Sequence, residues 1–323
     1  MKLRTPLLAA AAAALLGLAP SLAAAQAPPA GRIVLPAKSP VWQPHKTKNY
    51  LPEMTWPEVK DLLTRTDMVI IPVGAIEQHG PQGPLGTDVL NGLERAKLVA
   101  QYTDVLVAPI LMVGNSPYHV AFPGSISLSA ETVQKVYVEA VESLIKQGFK
   151  RFLILNSHGG NQATSQFIVD RINQETAGIA VELGGAIRPF MPSQPDTKKP
   201  RPFDRHGGVN ETSASLYLIP DLVDMKAAKQ AKLSMPPHLT AMVPAIEAGD
   251  PTTTLVFLAE ALKTEETGKK TASAEMTDNG VWSSLDPRNA TAERGRQGAE
   301  AFVNATVQFI QKWNQLRPMG TKP

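Results

Sequence analysis

The chain has 323 residues, 43% of them hydrophobic, which is enough for one large domain or two small ones with a substantial core. It contains no cysteine, which excludes disulfides and thiolate nucleophiles, so any bound metal must be held by His, Asp and Glu. The formal net charge is only +3, so the strongly basic footprint of a nucleic-acid-binding or membrane-surface protein is absent.

The N-terminus has the pattern of a secretory signal peptide. Lys2 and Arg4 precede a long Ala/Leu run that ends in small residues at 23–25. We assign residues 1–25 to a cleaved signal peptide and expect a periplasmic or secreted protein. The alternative, an uncleaved membrane anchor, is disfavoured by the Ala-rich composition, and no later apolar stretch approaches the ~20 residues of a spanning helix. Without Lys2 and Arg4, the 32 basic residues fall to 30, against 29 acidic ones.

Residues 26–53 are rich in proline and are predicted to form an extended arm, because proline donates no hydrogen bond to a helix or a sheet. After this arm, short apolar runs alternate with segments of helical periodicity. The runs predicted as strands are apolar almost throughout, as in strands buried on both faces. They are VIIPV (69–73), VLVAPIL (105–111), RFLILN (151–156) and IAVEL (179–183).

Helical patterns separate these runs. The clearest covers 129–147, where apolar residues recur at three- and four-residue steps, Ser129 is placed to cap the helix and Gly148 to end it. Further helices are predicted at 89–101, 161–176, 211–219 and 289–315, with a short one near 255–263. Alternating strands and helices indicate a mostly parallel sheet covered by helices, and we expect a single domain over 54–323. The Pro- and charge-rich segment 191–205 is predicted to be a loop.

Polar side chains of the kind that bind metals follow two of the predicted strands. Glu77, His79 and Asp88 come after the first strand, and His158 follows the third. Sites in open α/β sheets form at the carboxyl ends of the strands, so we expect these side chains to lie together. If the strand conformation persists, Glu77 and His79 face the same side, because they are two residues apart. Taken singly, each has a structural alternative, such as a helix cap for Asp88 or a surface charge for Glu77.

Three of the six histidines lie in glycine-rich loops, in the stretches EQHG, NSHGGN and HGGVNETS, and the first and last of these stretches also carry a glutamate. Imidazole and carboxylate ligands suit zinc, manganese or iron, with positions left open for water and substrate. Two such metals that share a carboxylate would polarise an amide carbonyl and favour hydrolysis near neutral pH. The chain has no P-loop, no GxSxG elbow and no GxGxxG after a strand, but a Ser-His-Asp triad stays open because triads are spatial.

Five blocks of the sequence, taken in order, resemble the creatininase (creatinine amidohydrolase) family. They are PVGAIEQHGPQGPLGTD, FPGSISLS, NSHGGN, HGGVNETS with LYLIPDLVD, and GVW followed by DPRNATAERG, and they span about residues 54–300. The resemblance implies a three-layer α/β/α fold with a mostly parallel sheet and a two-metal amidohydrolase site. It also implies a homo-oligomer and two divalent metal ions, which would be zinc, manganese or iron.

The resemblance assigns the family's site to particular residues of this chain. The first metal would be held by Glu77, Asp88 and His158, and the second by His79, by Asp88 as the bridge, and by one further carboxylate. His206 matches the family's active-site histidine that is not a metal ligand. Its implied role is to donate a proton to the leaving nitrogen or to orient the attacking water.

Two departures from the family concern the second metal and the substrate. Creatinine-hydrolysing members carry a metal-binding Glu two residues after the histidine of NSHGGN, where this chain has Gly160. We expect Glu211 to fill that gap as a ligand and catalytic carboxylate, the structural alternative being a first-turn helix carboxylate. The segment 184–206 has no tryptophan to cover a creatinine ring, only Phe190 and Phe203, which argues against creatinine as the substrate.

His119, in SPYHVAFPGS, and Phe203 are the predicted substrate contacts, although His119 could instead be a loop histidine bonded to the backbone. These features predict an exported metal-dependent amidohydrolase that cleaves a non-peptide or cyclic amide C–N bond of a small molecule, with no nucleic-acid or membrane partner. One alternative is a peptidase or deformylase acting on a modified peptide or N-formyl compound. Another is a non-catalytic periplasmic ligand-binding protein.

Overall fold

A four-stranded parallel sheet forms the centre of the fold. The computed structural model describes residues 31–109, 114–192, 202–261 and 273–321. The strands are β1 (Met68–Val73), β2 (Leu106–Val107), β3 (Arg151–Asn156) and β4 (Ile179–Glu182). They are hydrogen-bonded in the order β2-β1-β3-β4, and every pair is parallel. All four predicted strands are present, although β2 is shorter than the predicted 105–111, part of which lies outside the described residues.

Helices follow the strands as the periodicity predicts. The longer ones are α2 (Thr87–Gln101), α3 (Ala130–Gln147), α4 (Gln162–Glu175), α6 (Val209–Leu218), α9 (Pro251–Ala261) and α11 (Ala292–Leu316). The shorter ones are α1 (Trp56–Leu62), α5 (Leu183–Ile187), α7 (Pro237–Thr240), α8 (Val243–Glu247) and α10 (Ser273–Met276). α3 has the predicted ends: Ser129 Oγ accepts from the Thr132 amide at 3.2 Å, and Gly148 adopts a left-handed φ of 118°.

The sheet separates two apolar layers. Successive strand residues point to opposite faces, so Met68 and Ile70 of β1 join one buried cluster, while Val69 and Ile71 join the other. Residues of α2, α6 and α11 complete the first cluster, and residues of α3 and α4 complete the second. The predicted three-layer α/β/α architecture is therefore confirmed.

From Arg32 onward, the segment that precedes α1 belongs to the same compact unit as the sheet and helices. Ile33 and Leu35 are buried in the first apolar cluster. The segment is held against α11, where the Ile33 amide donates to Asn304 Oδ1 at 2.9 Å and the Leu35 amide donates to Glu300 Oε2 at 3.1 Å. An extended arm thus becomes part of the core. The predicted signal peptide at 1–25 lies outside the described residues.

A separate antiparallel ribbon consists of β5 (Asp204–His206) and β6 (Trp282–Ser283). The first two residues of β5 fall within the segment 191–205 that was predicted to be a loop, so that prediction is wrong for 204–205, where the chain pairs with β6. Residues 193–201 of the same segment lie outside the described residues. A third apolar cluster packs Trp282 and α9 around Phe203. Among the described helices, none combines the length and apolar character that crossing a membrane requires.

Candidate metal centre

The loop after β1 carries two of the predicted ligands into the interior. Once β1 ends, the chain turns back on itself, and the Glu77 amide donates to the Leu85 carbonyl oxygen at 3.0 Å. α2 begins two residues after Leu85, which puts Asp88 in its first turn beside the loop. Glu77, His79 and Asp88 are only 1%, 2% and 5% exposed. The loop and the start of α2 therefore bury two carboxylates and an imidazole together.

The end of β3 supplies the next ligand. β3 runs beside β1 with Asn156 opposite Val73, so His158 emerges next to the loop that follows β1. His158 Nδ1 lies 3.2 Å from Glu77 Oε1 and 3.1 Å from Asp88 Oδ2. One ligand atom from each of these three residues lies within 4.8 Å of the others, as in a site for a single metal ion.

A second ligand group shares Asp88. His79 Nε2 lies 3.2 Å from Asp88 Oδ1 and 3.8 Å from Glu211 Oε2. Glu211 comes from the first turn of α6, and its side chain remains 39% exposed. A third, overlapping group combines Glu77, His79 and His206. Glu211 thus lies where the sequence predicts a replacement for the ligand absent at position 160.

Hydrogen bonds determine which nitrogen of each ligand imidazole faces the carboxylates. His79 Nδ1 lies 3.1 Å from the Glu77 carbonyl oxygen, and His158 Nε2 lies 3.1 Å from the Asn115 carbonyl oxygen. A carbonyl oxygen only accepts, so each of these nitrogens carries the proton. The other two nitrogens therefore face the carboxylates. Ser116 Oγ donates to Glu77 Oε2, which leaves Oε1 of that carboxylate to face His158.

This arrangement fits a divalent cation. Imidazole lone pairs and carboxylate oxygens at this separation repel one another unless a proton or a cation lies between them. Burial alone lowers the pKa of His79, but the charge and hydrogen bond of Asp88, together with the charges of Glu211 and Glu77, outweigh burial and raise the pKa to about 10. Burial opposes protonation of His158, but the charge of Glu77 favours it. The pKa of His158 is raised well above its usual value. His79 Nε2 and Asp88 Oδ2 are buried without a hydrogen-bond partner, and a bound zinc or manganese ion would satisfy both.

Tyr118 occupies the space that a side chain at position 160 would need. A Cβ atom on Gly160 would come within 2.0 Å of the Tyr118 hydroxyl oxygen, 2.5 Å of His158 Nε2 and 2.8 Å of the Asn115 carbonyl oxygen. The Tyr118 hydroxyl itself lies 3.0 Å from His158 Nε2. A glutamate at position 160 would therefore clash unless Tyr118, His158 and the Asn115 backbone shifted, which favours a carboxylate from another element, such as Glu211, for the second ligand group.

His206 and His119 lie beside the two ligand groups. His206 Nε2 contacts the Gln78 carbonyl oxygen at 2.5 Å and so carries the proton, which leaves Nδ1 facing Glu77 Oε1 at 3.6 Å. The His119 ring stacks on that of His206 with centroids 4.2 Å apart. His119 Nδ1 contacts Ser273 Oγ at 2.7 Å, so its partner is a side chain and not the backbone. Burial lowers the pKa of both imidazoles.

A cavity of about 1010 Å³ opens onto these groups. Its floor includes Glu77, Asp88, His119, His158, His206 and Glu211. The rest of the lining includes the aromatic Trp282, the apolar Leu255 and Leu258, and the basic Arg188 and Arg205. This volume is at the upper end of the roughly 300–1,000 Å³ of typical small-molecule pockets.

Phe203 does not line this cavity, so its prediction as a substrate contact is wrong. Its side chain is 1% exposed and belongs to the third apolar cluster, where its ring centroid lies 5.4 Å from that of Phe257. An isolated aromatic residue in a polar segment has the same sequence appearance whether it faces a ligand or a core. Only packing decides between the two.

The cavity residues that sequence reasoning missed include Tyr118, Trp282 and Arg205. Tyr118 stands beside His119 in SPYHVAFPGS, and Trp282 ends the GVW block, so proximity to the family blocks is a signal for both. Arg205 directly precedes His206, but a single arginine in a charged segment carries no pattern of its own.

Comparison with known proteins finds a family model and individual proteins that are similar to this chain. A family model described as Creatininase, creatinine amidohydrolase, matches residues 52–310. The creatinine amidohydrolase of Pseudomonas putida is 30% identical over 209 residues, which cover 58% of this chain and 79% of that protein. A mycofactocin precursor peptide peptidase of Mycolicibacterium smegmatis is 28% identical over 265 residues, covering 80% of this chain and 90% of that protein.

Solved structures show the same fold. A variant creatininase of the Zn-Zn type has a TM-score of 0.57 at 23% identity, covering 84% of this chain and 100% of that one. A manganese form of creatininase has a TM-score of 0.56 at 23% identity, covering 84% of this chain and 99% of that one.

Proposed function

The chain belongs to the creatininase family, and on this premise we propose that it is a metal-dependent hydrolase of amide C–N bonds. The observation that carries the proposal is the pair of ligand groups that share Asp88 and open to one cavity. One group is Glu77, Asp88 and His158, and the other is His79, Asp88 and Glu211. Three protein ligands leave a position open for water or substrate, which a purely structural metal does not need.

Zinc or manganese is the proposed metal, because the ligands are imidazoles and carboxylates and the two solved creatininases carry these metals. Bound there, the metals would act as Lewis acids that polarise the amide carbonyl and activate water. Asp88 is suited to serve both groups, since its Oδ1 faces His79 and its Oδ2 faces His158.

His206 is the residue to which we assign proton transfer. Amide hydrolysis adds water to the carbonyl carbon and releases the amine readily only if the nitrogen is protonated. His206 Nδ1 faces the ligand groups, 3.6 Å from Glu77 Oε1 and 4.0 Å from Glu211 Oε2. Its Nε2 proton is held by the Gln78 carbonyl oxygen, which keeps the ring oriented and leaves Nδ1 as the exchanging atom. Nδ1 would accept the proton from water and pass it to the leaving nitrogen.

The proposed substrate is a small non-peptide or cyclic amide other than creatinine. The sequence lacks the tryptophans expected in 184–206, and the steric block at Gly160 supports a second ligand group built differently from that of creatinine-cleaving members. A peptidase or deformylase acting on a peptide-like substrate is the second candidate. The mycofactocin peptidase similarity favours it by covering 80% of this chain, against 58% for the creatinine amidohydrolase.

The location and the assembly of the protein are also part of the proposal. We propose an exported protein on the basis of the signal-peptide pattern at 1–25. A homo-oligomer is proposed from the family resemblance. A non-catalytic ligand-binding protein would share these features but would not require both ligand groups to hold metal.

Metal content tests the proposal directly. The wild type, purified without chelator and reconstituted with zinc or manganese, is expected to hold about two metal ions per chain, and Glu211→Ala about one. Glu139→Ala on α3, whose side chain is 63% exposed, is the control and should match the wild type. One metal or none in the wild type would contradict the two-metal site and favour the ligand-binding alternative.

A further inference from the structure

Arg205 reaches the cavity through an irregularity in the antiparallel ribbon. Asp204 pairs with Ser283 and His206 pairs with Trp282, so β5 has one residue more than β6 between these pairs. In a regular strand, adjacent side chains point to opposite faces, and Arg205 would point away from His206. A bulge breaks that alternation and often re-aims a side chain beside an active site. Here Arg205 and His206 both line the cavity.

The Arg205 guanidinium has no carboxylate partner among the described residues. It is partly buried, and its hydrogen bond runs from Nη2 to Thr254 Oγ1 at 3.4 Å. The adjacent Asp204 is already engaged, since its Oδ2 accepts from the Asn210 amide at 2.9 Å at the start of α6. A partly desolvated guanidinium is most stable with an anionic acceptor, which the cavity could admit.

Arg188 is a second arginine that lines the cavity. It is exposed, and no carboxylate in the described part of the chain lies within ion-pair distance of it. The nearby Glu182 is engaged in capping α5, because it accepts from the Gly184 and Gly185 amides at 2.9 Å and 2.6 Å.

Charge balance makes the wall attractive to anions. The carboxylates that line the cavity are Glu77, Asp88, Glu182 and Glu211. Two divalent cations would balance these four carboxylates, which leaves the guanidinium groups of Arg188 and Arg205 as net positive charge in the cavity.

We infer that Arg205, assisted by Arg188, binds a carboxylate carried by the substrate, while the scissile amide lies at the two ligand groups. The inference rests on the proposed function and narrows its substrate class to acidic amides. A guanidinium suits this task because its planar fork matches a carboxylate in a bidentate geometry.

Matched ligand pairs test this inference on the metal-loaded full-length protein. Succinamate, glutaramate and adipamate are each compared by calorimetry with the neutral diamide of the same chain length. At one or more lengths the acid should bind about 10- to 100-fold more tightly than the diamide, as expected for charge-assisted hydrogen bonds. Arg205→Met should abolish that preference, Arg188→Met should reduce it, and Arg205→Lys should retain part of it, because lysine keeps the charge without the fork. Thermal melting establishes that each variant is folded.

Two results would overturn the inference. One is an acid preference that persists in Arg205→Met, as a carboxylate bound directly to the metals would produce. The other is the absence of a preference for the acid at every chain length. Metal content and amide turnover are measured on the same samples. A metal-loaded amide hydrolase without the preference overturns the inference alone. A metal-loaded protein with an Arg205-dependent preference but no turnover of any amide supports the inference and overturns the proposed function.

Discussion

Alanine at position 160 should displace the His158 imidazole, whereas alanine at the preceding glycine should not. A Cβ on Gly160 would lie 2.0 Å from the Tyr118 hydroxyl and 2.5 Å from His158 Nε2, where ordinary contacts begin at 3.4 Å. The hydroxyl would have to retreat by about 1.4 Å and the imidazole by about 0.9 Å. A Cβ on Gly159 meets no heavy atom within 4 Å, so this neighbouring glycine is a matched control.

The size of the effect follows from two contributions. Overpacking a buried site typically costs about 1–3 kcal/mol, so the free energy of unfolding should fall by that amount. His158 Nε2 would also lose its position against the Asn115 carbonyl oxygen, which lies 3.1 Å away and orients the ring. Disturbing such an orienting contact typically lowers metal affinity by about 10- to 100-fold. Adding Tyr118→Phe to Gly160→Ala removes the 2.0 Å contact but not the 2.5 Å one, and should restore part of the stability without restoring metal affinity.

Calorimetric melting of the metal-free protein and zinc titration against a competing chelator separate the two contributions. Gly159→Ala should match the wild type in both measurements. If Gly160→Ala melts and binds zinc like Gly159→Ala, the crowding around Gly160 does not exist as described. The steric reason for the absence of a ligand at position 160 would then be refuted.

Two further changes probe proton transfer and burial. His206→Asn should lower amide turnover by about 100- to 10,000-fold while both metals stay bound. Loss of a metal in this variant would instead identify His206 as a ligand, as in the group it forms with Glu77 and His79. Glu94 is 1% exposed, and burial raises its pKa to about 6 from 4.5, although Lys97 opposes the shift. The stability that the protonated Glu94 carboxyl contributes is therefore fully present below pH 4.5 and is lost as the pH rises through 6. The free energy of unfolding should fall by about 2 kcal/mol across this range. Glu94→Gln should flatten the melting temperature across that window, and an unchanged pH profile would contradict this assignment.

The sequence by itself was sufficient for the main elements of the fold. β1 and β3 lie within one residue of their predicted bounds, and α3 begins and ends at its predicted cap and glycine. These elements are local in origin. A run that is apolar at every position suits a strand buried on both faces, and a run with a 3.6-residue period suits a helix buried on one.

The proximity of the candidate ligands was predictable for a different reason. Parallel strands that pair in register end at the same edge of a sheet, so residues that follow β1 and β3 meet there whatever lies between them in sequence. Which carboxylate completes the second group depended on the family resemblance and on the departure at Gly160. No periodicity links Glu211 to His79, and only the tertiary structure puts their ligand atoms 3.8 Å apart.

Side-chain environment was decided by the tertiary structure alone. Phe203 and Trp282 are both aromatic residues in poorly patterned segments, yet the first is enclosed by an apolar cluster and the second lines the cavity. Arg205 lines the cavity where the ribbon contains a bulge, and Tyr118 occupies the space that a side chain at position 160 would need. Hydrophobic pattern and turn chemistry act over a few residues and so can be read from the sequence. Steric exclusion and the facing of side chains arise between segments distant in the chain, and they exist only once those segments have packed.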